Sequence, residues 1–595
     1  MNHKTKINFI AAILLIIMVV LGFLSMKEES AIMDEVAHIP AGYSYLIKKD
    51  MRLNPEHPPL IKDLAAIPLY FIDKINFPEQ IPAWQTKVNG QWDFGFNFLY
   101  KSNNDADKII FWSRIPMLLI LLILGLYIFK WTKELFGPSS ALFALFLYAF
   151  SPTFIAHGRY VTTDVGAAAG FFIATYYFVK FLQSPSKKNL FLAGIFFGIA
   201  QIIKFSLFLL VFYFAVLIII KTILLQKKLV FSKKALIQFG SFLKNFLLII
   251  IIGYLIIVYP LYLFHVSGYP QEKQVFDTNY ISSHFPLKII NQPLVWMAKQ
   301  PVLRPYAQYL LGLCMVFQRA TGGNTTFFLG EVTNKGWHKY FPIVYLIKTP
   351  LVLHIFTIIA LIFIAWQIKK PFWIRPVKRM FVWSKNHFPE LAMLIFLMVY
   401  WGASTSSNLN IGVRHILPAF PFTYVLITGQ IKNIFRRIKK EKVKMIASGI
   451  FGVLLIWYAF SSISIFPYYL TYFNELTGGA KNGYIYVTDS NLDWGQDLKR
   501  LTKWVEKNNI QKIKLDYFGG GLPEYYLKEK YEPWWGERNP NEAKKNWLAV
   551  SATFLQQGRA IPVKGWSQPT DYYLWLYQYE PRTVIGNSIF VYYID

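Results

Sequence analysis

A single cysteine, Cys314, in 595 residues leaves no intrachain disulfide framework and no Cys-rich metal site. Acids are scarce, with 33 Asp and Glu against 62 Lys and Arg, and all charged residues together make up 16% of the chain. No G-x-x-x-x-G-K-[ST] and no H-E-x-x-H occurs, which removes the P-loop and the zincin from consideration. So little charge does not cover the surface of several soluble domains, although the length would allow them. What is present instead is apolar: 54% hydrophobic and 18% aromatic residues. Apolar runs of about 20 residues, the length that crosses about 30 Å of hydrocarbon, recur from Ile7 to Phe466.

The net charge of +29 would point to nucleic acid if it lay on a soluble surface. It does not. The segments 1–6, 130–138, 184–188, 221–244, 367–387 and 431–444 hold 25 Lys and Arg and only two acids, Glu134 and Glu441. They connect the apolar spans, and every second connection is basic, which reads as a cytoplasmic face. The partner is a membrane, and no nucleic acid is expected.

Spans are expected at 7–26, 108–129, 139–157, 162–183, 189–204, 205–222, 245–264, 341–366, 389–406, 411–430 and 445–466. The fold class is thus a polytopic α-helical membrane protein of about 11 transmembrane helices. The first span lacks a small-residue cleavage site and reads as a retained anchor in the plasma membrane. The N-terminus is then cytoplasmic. Loops 27–107 and 265–340 lie outside, with Ala37–Ile47 and Pro59–Phe71 as amphipathic pieces for the interface.

The division expected is a transmembrane domain, 1–470, and a small soluble extracytoplasmic α/β domain, 480–595. In the latter, Tyr484–Thr488, Lys512–Tyr517 and Ser588–Ile594 read as strands and Trp494–Asn508 as a helix. Gly519-Gly520-Gly521 reads as a tight turn. Asp489 to Asp497 lacks the glycine and glutamate of an EF-hand; Asp493 is expected to cap a helix, leaving Trp494 exposed to stack on a sugar.

Seven of the ten histidines fall on the outer side or at its boundary: His38, His57, His157, His265, His284, His338 and His415. The acid pair Asp34-Glu35 follows the first span directly, and Asn54-Pro55-Glu56-His57-Pro58-Pro59-Leu60-Ile61-Lys62 follows in the same loop. Acids and imidazoles in one Pro-stiffened loop suit general-base work and hydrogen bonding to a polar substrate. Arg159 to Asp164 forms the next outer turn, where an interfacial Arg159–Asp164 pair is one reading and a share in the site another. Lys204, Lys348, Arg414 and His415 sit near outer span ends. They either snorkel or together hold a lipid-linked phosphate. A divalent ion fits beside Asp34, Asp164 and nearby histidines, but their spacing does not dictate one.

The run Asp34-Glu35, His38, Ala41-Gly42-Tyr43 with Asn54 to Leu60 resembles the first external loop of protein O-mannosyltransferase-like enzymes. These form glycosyltransferase family 39 of the GT-C superfamily. Thr163-Asp164, Lys204-Phe205-Ser206, Lys348-Thr349-Pro350, Gly412 to Pro418 and Tyr472 to Leu476 extend the likeness, and Asp489 to Leu498 is similar to a segment of bacterial members.

The resemblance implies a polyprenyl-phosphate-linked sugar donor and an acceptor bearing a hydroxyl or phosphate, with transfer by inversion. By the same resemblance, Asp34 matches the catalytic base, Glu56 with His57 the second acidic motif, and Asp164 a further acid of the site. Glu35, His38, Lys62, Arg159, Lys204, Lys348, Arg414 and His415 complete the expected substrate-binding set. No β-trefoil domain is present between spans, which sets the chain apart from eukaryotic members. A transporter or flippase of a lipid-linked substrate is the alternative reading. Deleting the region from about 480 is expected to spare donor binding.

Overall fold

The computed structural model describes residues 3–226, 232–368 and 376–595. Parts of the basic segments 1–6, 221–244 and 367–387 fall outside the described residues. Among those described, eight helices are long and apolar enough to cross a membrane. They are Thr5–Ser25, Ala106–Phe136, Asp164–Gln183, Phe205–Leu224, Lys233–Val266, Leu351–Ile368, Phe388–Thr405 and Glu441–Ile463. The three other expected spans are helical but do not meet that measure. Pro138–Ala149 and Lys187–Gln201 are short, and Ala419–Arg437 is too polar at its basic end.

Burial orders the bundle. Of the most apolar stretch of Asp164–Gln183, 89% is buried, against 17% for Glu441–Ile463. The former therefore runs through the centre, and the latter presents bare apolar side chains such as Ile450, Val453 and Ile456 to lipid. Asp164 opens that central helix, so its carboxylate is delivered to the heart of the bundle mouth.

Loop 27–107 folds over this mouth. Its first helix, Met33–Lys48, is buried from Glu35 to Tyr45 instead of lying open on the interface. Gly42 makes this possible: a Cβ there would collide with the Lys62 backbone, where Leu60–Ala66 crosses. After that second helix, the 3₁₀ turn Ile67–Phe71 leaves Tyr70 and Phe71 73% and 79% exposed.

The tail builds a five-stranded sheet in the order Tyr531–Pro533, Ile513–Asp516, Asn546–Ser551, Ile589–Ile594, Thr583–Ile585. The first three strands run parallel and the last two pair antiparallel. Strands at 513–516 and 589–594 agree with the sequence pattern. Tyr484–Thr488 does not: Ala480–Ile485 is a 3₁₀ helix, and Val487 makes only a lone bridge to Phe328. Tyr484 faces the Phe590 ring, so its apolarity serves packing and not a ladder.

The tail is also stitched to the loops. Ile561–Pro562 pairs with Glu331–Thr333 in a separate three-stranded sheet. Ser30 N and Met33 N donate to the carbonyls of Gln496 and Trp494.

Candidate active site

Asp34 and Glu35 occupy the first turn of Met33–Lys48 and face different partners. Glu35 is fully buried. It accepts Arg114 Nε at 2.8 Å and Nη2 at 2.6 Å, together with the backbone amides of Ile32 at 3.0 Å and Val161 at 3.1 Å. Both oxygens are thus taken by the frame of the loop. Arg114 sits inside an apolar span, where a cation requires a carboxylate close by. That rule was the available signal for the pair.

Asp34 keeps 24% of its side chain exposed. Its Oδ2 accepts Arg414 Nη1 at 2.8 Å, while Oδ1 has no hydrogen bond among the described residues. The same Arg414 nitrogen reaches Asp164 Oδ2 at 3.2 Å, and Lys204 Nζ lies 2.5 Å from Asp164 Oδ1. Asp34, Asp164, Lys204 and Arg414, four residues distant in sequence, therefore form one chain of alternating charge.

Arg414 is held from the tail. Its Nε donates to Ser490 Oγ at 3.1 Å and its guanidinium lies 4.2 Å from the Trp494 ring centre. Asn491 Oδ1 accepts Val413 N at 2.9 Å, and Gly412 turns the chain with φ of 120°, a conformation open to glycine. Trp494 is 1% exposed and offers no face to a sugar, contrary to expectation, because it forms the floor under Arg414. Asp493 does not cap the following helix either. Leu498–Lys507 begins at Asp497, and Asp493 accepts Thr553 N at 2.9 Å.

Glu56 and His57 arrive on the second piece of loop one. Gln91 Nε2 donates to Glu56 Oε1 at 2.5 Å and Asn89 Nδ2 to Oε2 at 3.2 Å. His57 lies edge-on to His38, ring centres 5.0 Å apart, and His38 Nδ1 donates to the Val161 carbonyl at 2.8 Å. Burial pushes both imidazoles down from the ordinary value, so each is neutral near pH 7. Neutral rings suit hydrogen bonding more than charge pairing.

Three expected ligand contacts are engaged elsewhere. Lys62 donates to Tyr45 Oη, both Asn54 oxygens and the His57 carbonyl within 2.9 Å, so it shapes the Asn54–His57 turn. Burial pulls its ammonium down to about 7. Arg159 does not meet Asp164. It donates to Glu29 Oε1 at 2.7 Å and to Ser25. Lys348 is buried and donates to the carbonyls of Leu470 and Asn491 at 2.8 and 2.6 Å, which removes it from the expected phosphate-binding set.

Arg319 was not anticipated. It is exposed near the end of Arg304–Gly322, has no ion pair among the described residues, and its charge bears on His57, His415 and Asp489. Its loop, 265–340, carried no motif to mark it. Asp489 was passed over with the calcium pattern. The charges of Arg414 and Asp34 act on it, and burial pushes its carboxyl up to about 6. Among the described residues no three His, Cys, Asp or Glu side chains converge as metal ligands.

Residues 107–257 match the family model described as dolichyl-phosphate-mannose-protein mannosyltransferase. This is the family that the loop-one motif resembles. The matched segment carries Asp164 and Lys204 but not Asp34 or Arg414.

No curated protein matches the chain. Among solved structures, ArnT from Cupriavidus metallidurans bound to undecaprenyl phosphate aligns at 12% identity and a TM-score of 0.46, over 99% of this chain and 98% of that one. The Archaeoglobus fulgidus oligosaccharyltransferase tethered to an acceptor peptide aligns at 11% and 0.47, over 92% and 69%. The S. cerevisiae Pmt1–Pmt2 complex bound to the sugar donor aligns at 16% and 0.35, over 45% and 35%. Likenesses this distant assign nothing to this chain.

Proposed function

We propose that this chain is an inverting membrane glycosyltransferase that moves one sugar from a polyprenyl-phosphate donor to an acceptor hydroxyl or phosphate, with Asp34 as the base. The observation that carries the reading is the contrast at Asp34: one oxygen held by Arg414, the other unengaged on a partly exposed carboxylate. The acceptor's proton passes to Asp34 as its oxygen attacks the anomeric carbon. The bond from that carbon to the phosphate oxygen breaks, and the donor leaves as a lipid phosphate.

Negative charge grows on that phosphate during the step, so fixed cations beside it lower the barrier. Lys204 and Arg414 supply them, and Arg319, whose charge is felt at His57, His415 and Asp489, adds to them in place of Lys348. Glu56, fixed by Gln91 and Asn89, and the neutral pair His38 and His57 bind sugar or acceptor hydroxyls. Glu35, Lys62 and Arg159 hold the loop and do not touch substrate. The basic connections support a cytoplasmic N-terminus and, with it, a site and tail on the opposite face, where nucleotide sugars are not supplied. Residues 1–470 carry the chemistry, and 480–595 close it from above.

The test is sugar transfer by Asp34→Asn in reconstituted membranes with a lipid-phosphate donor. Loss of turnover with donor binding retained supports the reading. Turnover near that of the unmodified chain removes Asp34 from the mechanism.

A further inference from the structure

A second groove lies away from the Asp34 cluster. A cavity of about 330 Å³ opens where Met26 and Lys27 leave the first span and Phe111 and Trp112 enter the second, with Lys108 and Lys499 at its rim. We propose that it binds the headgroup of an anionic glycerophospholipid.

The rim is cationic and underused. Lys499 pairs with Asp107 at 2.8 Å, and Asp107 also accepts Tyr526 Oη at 2.8 Å. Among the described residues Lys27 and Lys108 have no carboxylate partner; Lys27 rests over the Phe23 ring at 5.1 Å. Glu29, the other acid of the wall, is already held by Arg159 at 2.7 Å. Two free ammoniums at the rim of a small apolar groove favour an anion that brings its own hydrocarbon.

The hydrocarbon has a path. On the first span, Phe9, Ile13, Ile16, Val20 and Leu24 form an exposed stripe at helical spacing. On the second, Trp112, Leu119, Ile123 and Leu126 do the same. The two stripes converge on the groove, where Phe23 meets Phe111 edge-on with ring centres 5.7 Å apart. Trp112, 43% exposed, stands where aromatic side chains mark the water–lipid boundary. Acyl chains lying along both stripes place the phosphate between Lys27 and Lys108.

The occupant would touch two parts of the molecule. Arg114, which clamps Glu35 beneath loop one, forms the back wall, and Lys499 belongs to the tail helix Leu498–Lys507. The lipid therefore ties bundle and tail together beside the loop-one helix. None of the Asp34 cluster lines this groove, so the site is separate from the one proposed for the donor.

Native mass spectrometry of the delipidated full-length chain, titrated with phosphatidylglycerol or phosphatidylcholine, tests the proposal. One phosphatidylglycerol per chain should bind about tenfold more tightly than phosphatidylcholine, and the doubly substituted Lys27→Gln, Lys108→Gln chain should lose that preference. Equal binding of the two lipids, or preference kept by the double variant, overturns it. Displacement by millimolar inorganic phosphate also overturns it, in favour of a small-anion site. A further measurement needs no lysine variant: brominated phosphatidylglycerol should quench tryptophan emission less in Trp112→Phe than in the unmodified chain. Equal quenching contradicts the placement.

Discussion

Asp34 and Glu35 share one helical turn and each meets an arginine, but the two ion pairs are built for different ends. Around Glu35 everything is closed: the acid is 0% exposed, Arg114 1%, and both carboxylate oxygens are saturated. Around Asp34 the arginine is shared between two acids, one carboxylate oxygen is unengaged, and a quarter of the side chain is open. A buried pair whose hydrogen bonds are complete resists change, and breaking it leaves an uncompensated charge. A shared, half-open pair can exchange partners when a substrate arrives. Two acids one residue apart thus separate framework from chemistry, through nothing more than which side of the helix each occupies.

The largest effect is expected at the open pair. Asp34→Asn should lower turnover about 10²- to 10⁴-fold, the range for losing a general base, while thermal unfolding in detergent stays unchanged. Glu35→Gln should reverse that pattern. It leaves Arg114 facing a neutral amide in a buried site, at a cost of about 3–5 kcal/mol in stability. Activity per folded molecule should fall far less than in Asp34→Asn. If both variants lose turnover alike at equal stability, the division between the acids collapses.

Next comes the tail. Removing residues from 480 onward takes away Ser490, Asn491 and Trp494, which hold Arg414 and the Val413 amide before it. The truncated chain should therefore lose donor binding, measured by lipid-phosphate titration, instead of sparing it as its sequence first suggests. Retained binding would mean that loop one and the bundle position Arg414 unaided.

The bundle, its basic connections and the loop-one acids were legible in the sequence because each rests on local pattern: run length, charge between runs, and motif spacing. The cationic set was half legible. Lys204 and Arg414 do meet at Asp164, but Lys348 is diverted by two carbonyls that come from residues 470 and 491, far along the chain. Trp494 was misread for a similar reason. A tryptophan among acids looks exposed until a loop 80 residues earlier brings an arginine to lie on it. Long-range packing of this kind leaves no period in the sequence. Arg114 did leave a signal, as a cation set between Ile109 and Leu126 in an otherwise apolar run.

A smaller effect is expected from Asp489, next to the Ser490 that holds Arg414 and within reach of the charges of Arg414 and Asp34. Its carboxyl is raised from 3.8 to about 6, chiefly by burial and despite Arg414. The native state therefore holds a proton that the unfolded chain releases between about pH 4 and 6. That contribution to stability is complete below pH 4 and is lost as the pH rises through 6. Asp489→Asn should flatten the stability profile in this window and leave the protein at least as stable at pH 7.5. A wild-type slope retained by the variant would assign the titration to another group.

The smallest effect separates support from chemistry within the same cluster. Ser490→Ala removes one hydrogen bond to the Arg414 Nε, while Asp34, Asp164 and the Trp494 face still hold the guanidinium. A hydrogen bond to a charged group is worth about 1.5–3 kcal/mol, and the remaining contacts retain part of that. The apparent donor KM should rise about tenfold or less, with kcat nearly unchanged, because Arg414 stays charged but is less well aimed at the phosphate. A fall in kcat at constant KM would instead show that Ser490 acts on the reacting atoms, and would move the boundary between frame and site into the tail.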